Sequence, residues 1–200
     1  ASLVPQWLPA LDGVVSQLEA GIEVADVGCG HGHSTLLMAQ AFPNSRFSGF
    51  DTHAASIGAA RAHAAAAGLS SNLAFSLARA VDYPGQRYGL ICFFDTLHDL
   101  GDPVAAARHA ADALAPGGTV LLVEPFAHDR IEQNLSPVGQ LYYAGSSVMC
   151  CAHAISEGGK LVLGAQAGPK RLEEVFFRAG FTRFRCVAET PFNRIFEVRR

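Results

Sequence analysis

The sequence predicts an α/β domain in which helices cover both faces of a doubly wound, mostly parallel sheet of seven strands. Short apolar runs of strand length alternate with helical patterns over residues 22–124, which is typical of consecutive parallel β–α–β units. Half of the 200 residues are hydrophobic and 16% are charged, as in a folded globular chain. The last two apolar runs are joined by a link too short for a parallel crossover, so they predict an antiparallel pair.

The strands are predicted from continuous apolar runs that are bounded by turn residues. The first of these runs leads into a glycine-rich turn, and the fifth follows a turn at Pro116-Gly117-Gly118. The predicted parallel strands are residues 22–27, 46–50, 73–77, 90–94 and 119–124. The antiparallel pair is predicted at residues 181–188 and 194–199.

The helices are predicted from apolar spacing and from their end signals. Gly21 ends the first helix, Ser34 is expected to cap the second, and Asp102-Pro103 begins the fourth. The predicted helices are residues 6–20, 34–42, 53–67, 103–114 and 170–179. Residues 126–168 have weak periodicity and frequent glycines, so they predict an irregular lid or substrate-wall insertion within one domain, residues 1–200.

Charge, hydropathy and cysteine content argue against several function classes. A net charge of −3 without a basic stripe gives no reason to expect a nucleic-acid partner. No apolar run approaches the roughly 20 residues of a membrane span, and residues 1–10 lack a signal-peptide pattern, so no membrane partner is expected. The five cysteines are odd in number and lack CxxC spacing, which predicts neither disulfides nor zinc and favours a cytoplasmic protein.

The glycine-rich turn at residues 28–32 follows a strand and opens a helix, where open α/β sheets bind nucleotide-type ligands. Asp51 ends the next strand, in a position to accept hydrogen bonds from ribose hydroxyls. His33 stands where a dinucleotide fingerprint has its third glycine, and Asp26 is a poor neighbour for a pyrophosphate. The pattern favours a ligand with an ammonium group, such as S-adenosylmethionine (SAM). The alternative interpretation is that the glycines serve only a tight turn.

Residues 26–32 resemble the first motif of the class I SAM-dependent methyltransferases, and Gly49-Phe50-Asp51 resembles their second. The resemblance implies a Rossmann-like, doubly wound seven-stranded sheet that is mostly parallel with an antiparallel C-terminal strand pair. Residues 93–95, 97–103 and 163–166 are similar to a bacterial subgroup that usually carries an N-terminal winged-helix domain. That domain is absent here, so the resemblance implies a truncated chain, and a homodimer for a full-length form.

The resemblance also implies which residues hold SAM, and S-adenosylhomocysteine (SAH) after the reaction. It places the methionine part at Asp26, Gly28 and Gly30, and the ribose at Asp51. It places the adenine at Thr52, Ala78, Arg79 and Ala80, and the sulfonium at Phe94 and Asp95. Many relatives have an acidic adenine contact where this chain has Arg79. Backbone groups or Asp82 are the expected substitutes.

His98-Asp99 directly follows the fourth strand, and histidine is the natural general base near neutral pH. Residues 97–102 resemble the corresponding stretch of plant small-molecule O-methyltransferases, in which a histidine acts as base and a glutamate after the fifth strand supports it. The resemblance implies His98 as base and Glu124 as its orienting partner. In the alternative interpretation, His98 caps the loop or holds Asp102, and Glu124 only ends a strand.

The expected function is therefore methyl transfer from SAM to a small-molecule acceptor, at a hydroxyl oxygen. One alternative is a non-catalytic SAM-binding regulatory domain. Another is an NAD-dependent oxidoreductase, which the glycine spacing and the antiparallel strand pair disfavour. No metal is expected, because His31 and His33 have no third ligand at an evident spacing.

Overall fold

The computed structural model describes residues 2–69 and 71–200, and its strands form one seven-stranded sheet in the order β3-β2-β1-β4-β5-β7-β6. Strands β1 to β5 are parallel, and β7 lies antiparallel between β5 and β6. The strands are β1 Glu23–Val27, β2 Arg46–Asp51, β3 Leu73–Leu77, β4 Tyr88–Phe94, β5 Leu114–Pro125, β6 Arg183–Glu189 and β7 Asn193–Arg199. The predicted fold class is confirmed, including the antiparallel C-terminal pair.

Helices cover both faces of the sheet, which buries one apolar cluster on each side. The α-helices are α1 Val14–Ala20, α2 His33–Ala41, α3 Ala54–Ala66, α4 Pro103–Ala113, α5 Pro137–Gly145, α6 Cys151–Ser156 and α7 Pro169–Arg178. Helices α1 to α3 pack on one face, and α4 and α7 pack on the other. Among the described residues, no helix is both long and apolar enough to cross a membrane.

The N-terminal helix predicted over residues 6–20 is wrong as a single element. The chain instead forms two short helical turns, Leu3–Trp7 and Leu8–Ala10, before α1 begins at Val14. Gly13 adopts a left-handed conformation with φ of 71°, which interrupts any continuous helix. The prediction of Ser34 as a cap is also wrong, because α2 begins at His33 behind a left-handed Gly32.

Residues 126–168 contain regular helices where the sequence pattern predicted none. Ser136 caps α5 by accepting a hydrogen bond from the Gly139 N–H at 3.1 Å, and Pro137 occupies the first turn. A π-helical segment, Ser146–Cys150, joins α5 to α6. The turn predicted at residues 116–118 lies within β5, where the pairing with β4 shifts register.

Candidate active site

The carboxyl ends of β1, β2 and β4 meet at one edge of the sheet, because Val27 pairs with both Phe50 and Phe93. A cleft of about 700 Å³ opens there, with a second cavity of about 280 Å³ that shares two lining residues, Gly28 and Phe94. The residues expected at the cofactor that line the cleft are Gly28, Asp51, Thr52, Ala78, Arg79, Ala80, Phe94 and Asp95. Asp26 and Gly30 line the second cavity. The fold therefore brings every one of these residues to one region.

Glycine is required for a different structural reason at each of two positions in the turn. Gly28 has φ of 73°, and an added Cβ would lie 2.2 Å from Cγ2 of Thr96, so no side chain fits there. Gly30 has φ of 52°, and an added Cβ would meet no described atom within 4 Å. The backbone at Gly30 is therefore open to a ligand in the second cavity.

The Asp51 carboxylate ties the end of β2 to the glycine turn. Its Oδ2 accepts a hydrogen bond from the Gly30 N–H at 2.9 Å, and its Oδ1 accepts one from the His53 N–H at 2.8 Å. These two bonds fix the carboxylate at the wall of the cleft. Its remaining lone pairs are available to a diol such as a ribose.

Asp26 is a buried carboxylate with one satisfied oxygen. Its Oδ2 accepts a hydrogen bond from the Thr35 hydroxyl at 2.6 Å, while Oδ1 is buried without a hydrogen-bond partner among the described residues. Burial raises the pKa of Asp26 to about 7, helped by the negative charge of Asp51 and opposed by the Thr35 bond. An unpartnered buried oxygen beside an open cavity fits a ligand that brings its own ammonium group.

His98 and Glu124 form a buried ion pair at the ends of β4 and β5. The His98 Nδ1–H donates to Glu124 Oε2 at 2.6 Å, and the Leu97 N–H donates to Oε1 at 3.0 Å. Burial lowers the pKa of His98, but Glu124, Asp99 and Asp95 outweigh it and raise that pKa to about 9. The ring is therefore positively charged at neutral pH, and it can act as a base only after Nε2, the nitrogen that Glu124 leaves free, has lost its proton.

The second ring nitrogen of His98 lies under the floor of the cleft. Its Nε2 is 3.3 Å from Oδ1 of Asp99, and only Asp99 of this pair lines the cleft. His98 is 4% exposed. It does not hold Asp102, whose Oδ1 instead accepts from the Ala105 N–H at 2.9 Å and caps α4.

Asp95 was expected from the sequence, but several of its neighbours at the site were not. Asp95 has a left-handed φ of 50°, and Asn193, at the start of β7, donates a hydrogen bond to its Oδ1 at 2.9 Å. Burial, as the largest cause, raises the pKa of Asp95 to about 6. The far wall of the cleft comes from the α6 region, through His153, Glu157 and Lys160. No local pattern in the sequence predicts these contacts.

Near the residues expected at the adenine, the Arg79 guanidinium pairs with Asp82, its Nε lying 3.0 Å from Oδ2. Asp82 is absent from the lining of the cleft, and its carboxylate is engaged by Arg79. Ala78 and Ala80 leave the neighbouring surface small and apolar. This surface is therefore better suited to the face of a flat ring than to a charged group.

Residues 18–180 match the family described as "Methyltransferase domain". Trans-aconitate 2-methyltransferase of Paracidovorax citrulli is 34% identical over 108 residues, which are 54% of this chain and 40% of that relative. The chain thus spans well under half of this curated relative's length.

Two solved structures share the fold. Human N-acetylserotonin methyltransferase in complex with SAM has a TM-score of 0.71 at 18% identity, over 97% of this chain and 50% of that one. The O-methyltransferase NcsB1 from neocarzinostatin biosynthesis, in complex with SAH and 1,4-dihydroxy-2-naphthoic acid, has a TM-score of 0.66 at 22% identity. That match covers 92% of this chain and 50% of that one.

Proposed function

The chain belongs to the class I SAM-dependent methyltransferases, and from this premise we propose that it methylates a hydroxyl oxygen of a small molecule, with His98 as the general base. The observation that carries the proposal is the buried His98–Glu124 pair beside the cleft. Glu124 engages Nδ1, so Nε2 is the ring nitrogen that accepts the proton, from the fraction of chains in which the ring is neutral. A base is needed because a hydroxyl must lose its proton as the new bond forms.

In this proposal, SAM lies across the two cavities and supplies an already activated methyl group. Asp51 binds the ribose hydroxyls, Asp26 binds the ammonium group, and the open backbone at Gly30 lies against the methionine part. Thr52, Ala78 and Arg79 surround the adenine, while Phe94 and Asp95 flank the sulfonium. The protein's contribution is then chiefly alignment of donor and acceptor.

Residues 126–168 are proposed as the acceptor wall. Their α6 region already closes one side of the cleft, through His153 and Glu157. An acceptor reaching Nε2 of His98 must also take the place of the Asp99 carboxylate, which covers it. NcsB1 holds a dihydroxylated aromatic acid together with SAH, so hydroxylated aromatics are the first acceptors to screen.

Calorimetric titration with SAM, SAH and NAD tests the cofactor assignment. We expect the two adenosyl ligands to bind and NAD not to bind. SAH release is then measured with hydroxylated acceptors. The burial of His98 favours one alternative, a non-catalytic SAM-binding domain, and tight SAM binding without turnover of any acceptor would support it.

Replacing Asp51 by alanine is expected to weaken SAH binding by about 1–3 kcal/mol, because ribose hydroxyls lose a charged acceptor and the Gly30 turn loses its tether. Calorimetry against the wild type measures the change. Asp112→Ala, an exposed carboxylate on α4, serves as the control and should bind normally. Unchanged affinity in Asp51→Ala would remove Asp51 from the site.

As the pH is raised from 5.5 to about 7, SAH affinity is expected to increase by up to about tenfold per pH unit, and above pH 7 it should level off. The reason is that the pKa of Asp26 is raised to about 7, so at lower pH the carboxyl is neutral and must release a proton to bind an ammonium group. Calorimetry between pH 5.5 and 8.5 covers this window, roughly 1.5 units on either side of the raised pKa. Asp26→Asn should bind more weakly and without this slope; a slope that persists in Asp26→Asn would assign it to another group.

A further inference from the structure

Three potential metal ligands lie together beside the cleft, and one of them, Asp99, lines it. The ligand atoms of His98, Asp99 and Cys150 all lie within 4.8 Å of one another. Cys150 ends the π-helical segment between α5 and α6, so it approaches the β4 edge from a distant part of the chain. His31 and His33, the one histidine pair with metal-like spacing in the sequence, are not part of this cluster.

The donor set suits a borderline-soft divalent ion. An imidazole nitrogen, a carboxylate oxygen and a thiolate are the ligands that zinc takes in proteins. Tetrahedral zinc with bonds of about 2.0–2.3 Å holds its donors roughly 3.3–3.8 Å apart, so small side-chain rotations complete the site. Three protein ligands leave a fourth position open.

Two independent features prepare the site. Glu124 holds His98 through Nδ1 at 2.6 Å, the carboxylate–histidine arrangement that orients metal-binding imidazoles through the other nitrogen. In addition, Asp99 Oδ1 is a buried atom that makes no hydrogen bond among the described residues, and its charged neighbour is Nε2 of His98 at 3.3 Å. A metal ion that displaces the Nε2 proton takes over the role of the charged ring and lies between Nε2 and this oxygen.

We propose that His98 Nε2, the Asp99 carboxylate and the Cys150 thiolate form a reversible binding site for Zn²⁺ or a similar divalent ion. On binding, the thiol proton, and any proton on Nε2, pass to solvent, and three metal–ligand bonds form. An ion on Nε2 occupies the lone pair that the base needs, so metal binding and proton abstraction by His98 exclude each other. The site extends the proposed function without depending on it.

The test uses Co²⁺ as a spectroscopic substitute for Zn²⁺, added to the reduced chain without SAM or acceptor. We expect one Co²⁺ per chain with thiolate-to-metal charge-transfer absorption, which Zn²⁺ then abolishes by displacement. Cys150→Ser should lose this absorption and bind at least about tenfold more weakly. Cys151→Ser is the matched control and should keep both, since Cys151 is absent from the cluster.

Asp99→Asn provides a second variant should Cys150→Ser fail to fold. It keeps the thiolate absorption but is expected to bind Co²⁺ at least about tenfold more weakly. Absence of the absorption in the wild type, its persistence in Cys150→Ser, or equal loss in Cys151→Ser would each overturn the proposal. These measurements need no methyl transfer. The metal-site proposal can therefore be wrong while the proposed function is right, and the proposed function can be wrong while the metal site exists.

Discussion

Replacing His98 by alanine is expected to lower the rate of methyl transfer by about a hundredfold or more while leaving SAM affinity nearly unchanged. The imidazole that would take the acceptor's proton is lost, but the residues proposed to hold SAM line cavities that His98 does not reach. The measurement is SAH release with an acceptor that the wild type uses, combined with calorimetry for SAM. Added imidazole should restore part of the rate if proton transfer is the missing step.

His109→Ala is the matched control for this experiment. His109 lies on α4, where its ring contacts the Tyr83 carbonyl at 2.8 Å, and it lines neither cavity. Its replacement should leave turnover close to that of the wild type. If His98→Ala lost SAM binding as strongly as turnover, His98 would have a structural role; full turnover in this variant would place the base elsewhere.

Replacing Glu124 by alanine is expected to lower the free energy of unfolding by about 3–5 kcal/mol. Glu124 is 1% exposed, and both of its oxygens accept hydrogen bonds, from the His98 ring and from the Leu97 backbone. The variant would leave a buried, positively charged imidazole and a backbone N–H without acceptors. Urea unfolding of the two proteins measures the difference.

Two further variants separate the ion pair from the glutamate alone. Glu124→Gln keeps one carbonyl oxygen, so it should lose less stability than Glu124→Ala. The double variant His98→Ala/Glu124→Ala should lose less stability than the sum of the losses in the two single variants, because it leaves no unpaired charge. A loss below about 1 kcal/mol in Glu124→Ala, the scale of an ordinary hydrogen bond, would contradict a coupled pair.

The sheet was predictable because its strands carry local signals. The buried parallel strands are continuous apolar runs, and β3 occupies residues 73–77 as expected. Helices α5 and α6 lack such a signal because their apolar side chains are not confined to a buried face. Leu141 and Ile155 are more than 60% exposed, so burial and hydrophobicity diverge there. Only the Ser136-Pro137 start signal was available for α5.

Some residues of the site also carry a local sequence signal, and others do not. Gly30 and Asp51 lie on one glycine turn and one strand end, where a spacing of 21 residues reflects a single β–α–β unit. Cys150 and Asn193 reach the site from other elements; the contact between Asn193 and Asp95 spans 98 residues. Such contacts arise from the packing of the whole domain, and no local periodicity records them.

The position of β7 inside the sheet has a consequence for how the chain is made. β7 begins at Asn193, 68 residues after β5 ends at Pro125, yet it is the antiparallel neighbour of β5. A ribosome that adds about 5–20 residues per second completes this stretch roughly 3–14 seconds after β5 emerges. For those seconds the apolar edge of β5 has no partner and can pair with other nascent chains. We therefore expect slow translation beyond residue 125 to increase the dependence of this chain on chaperones.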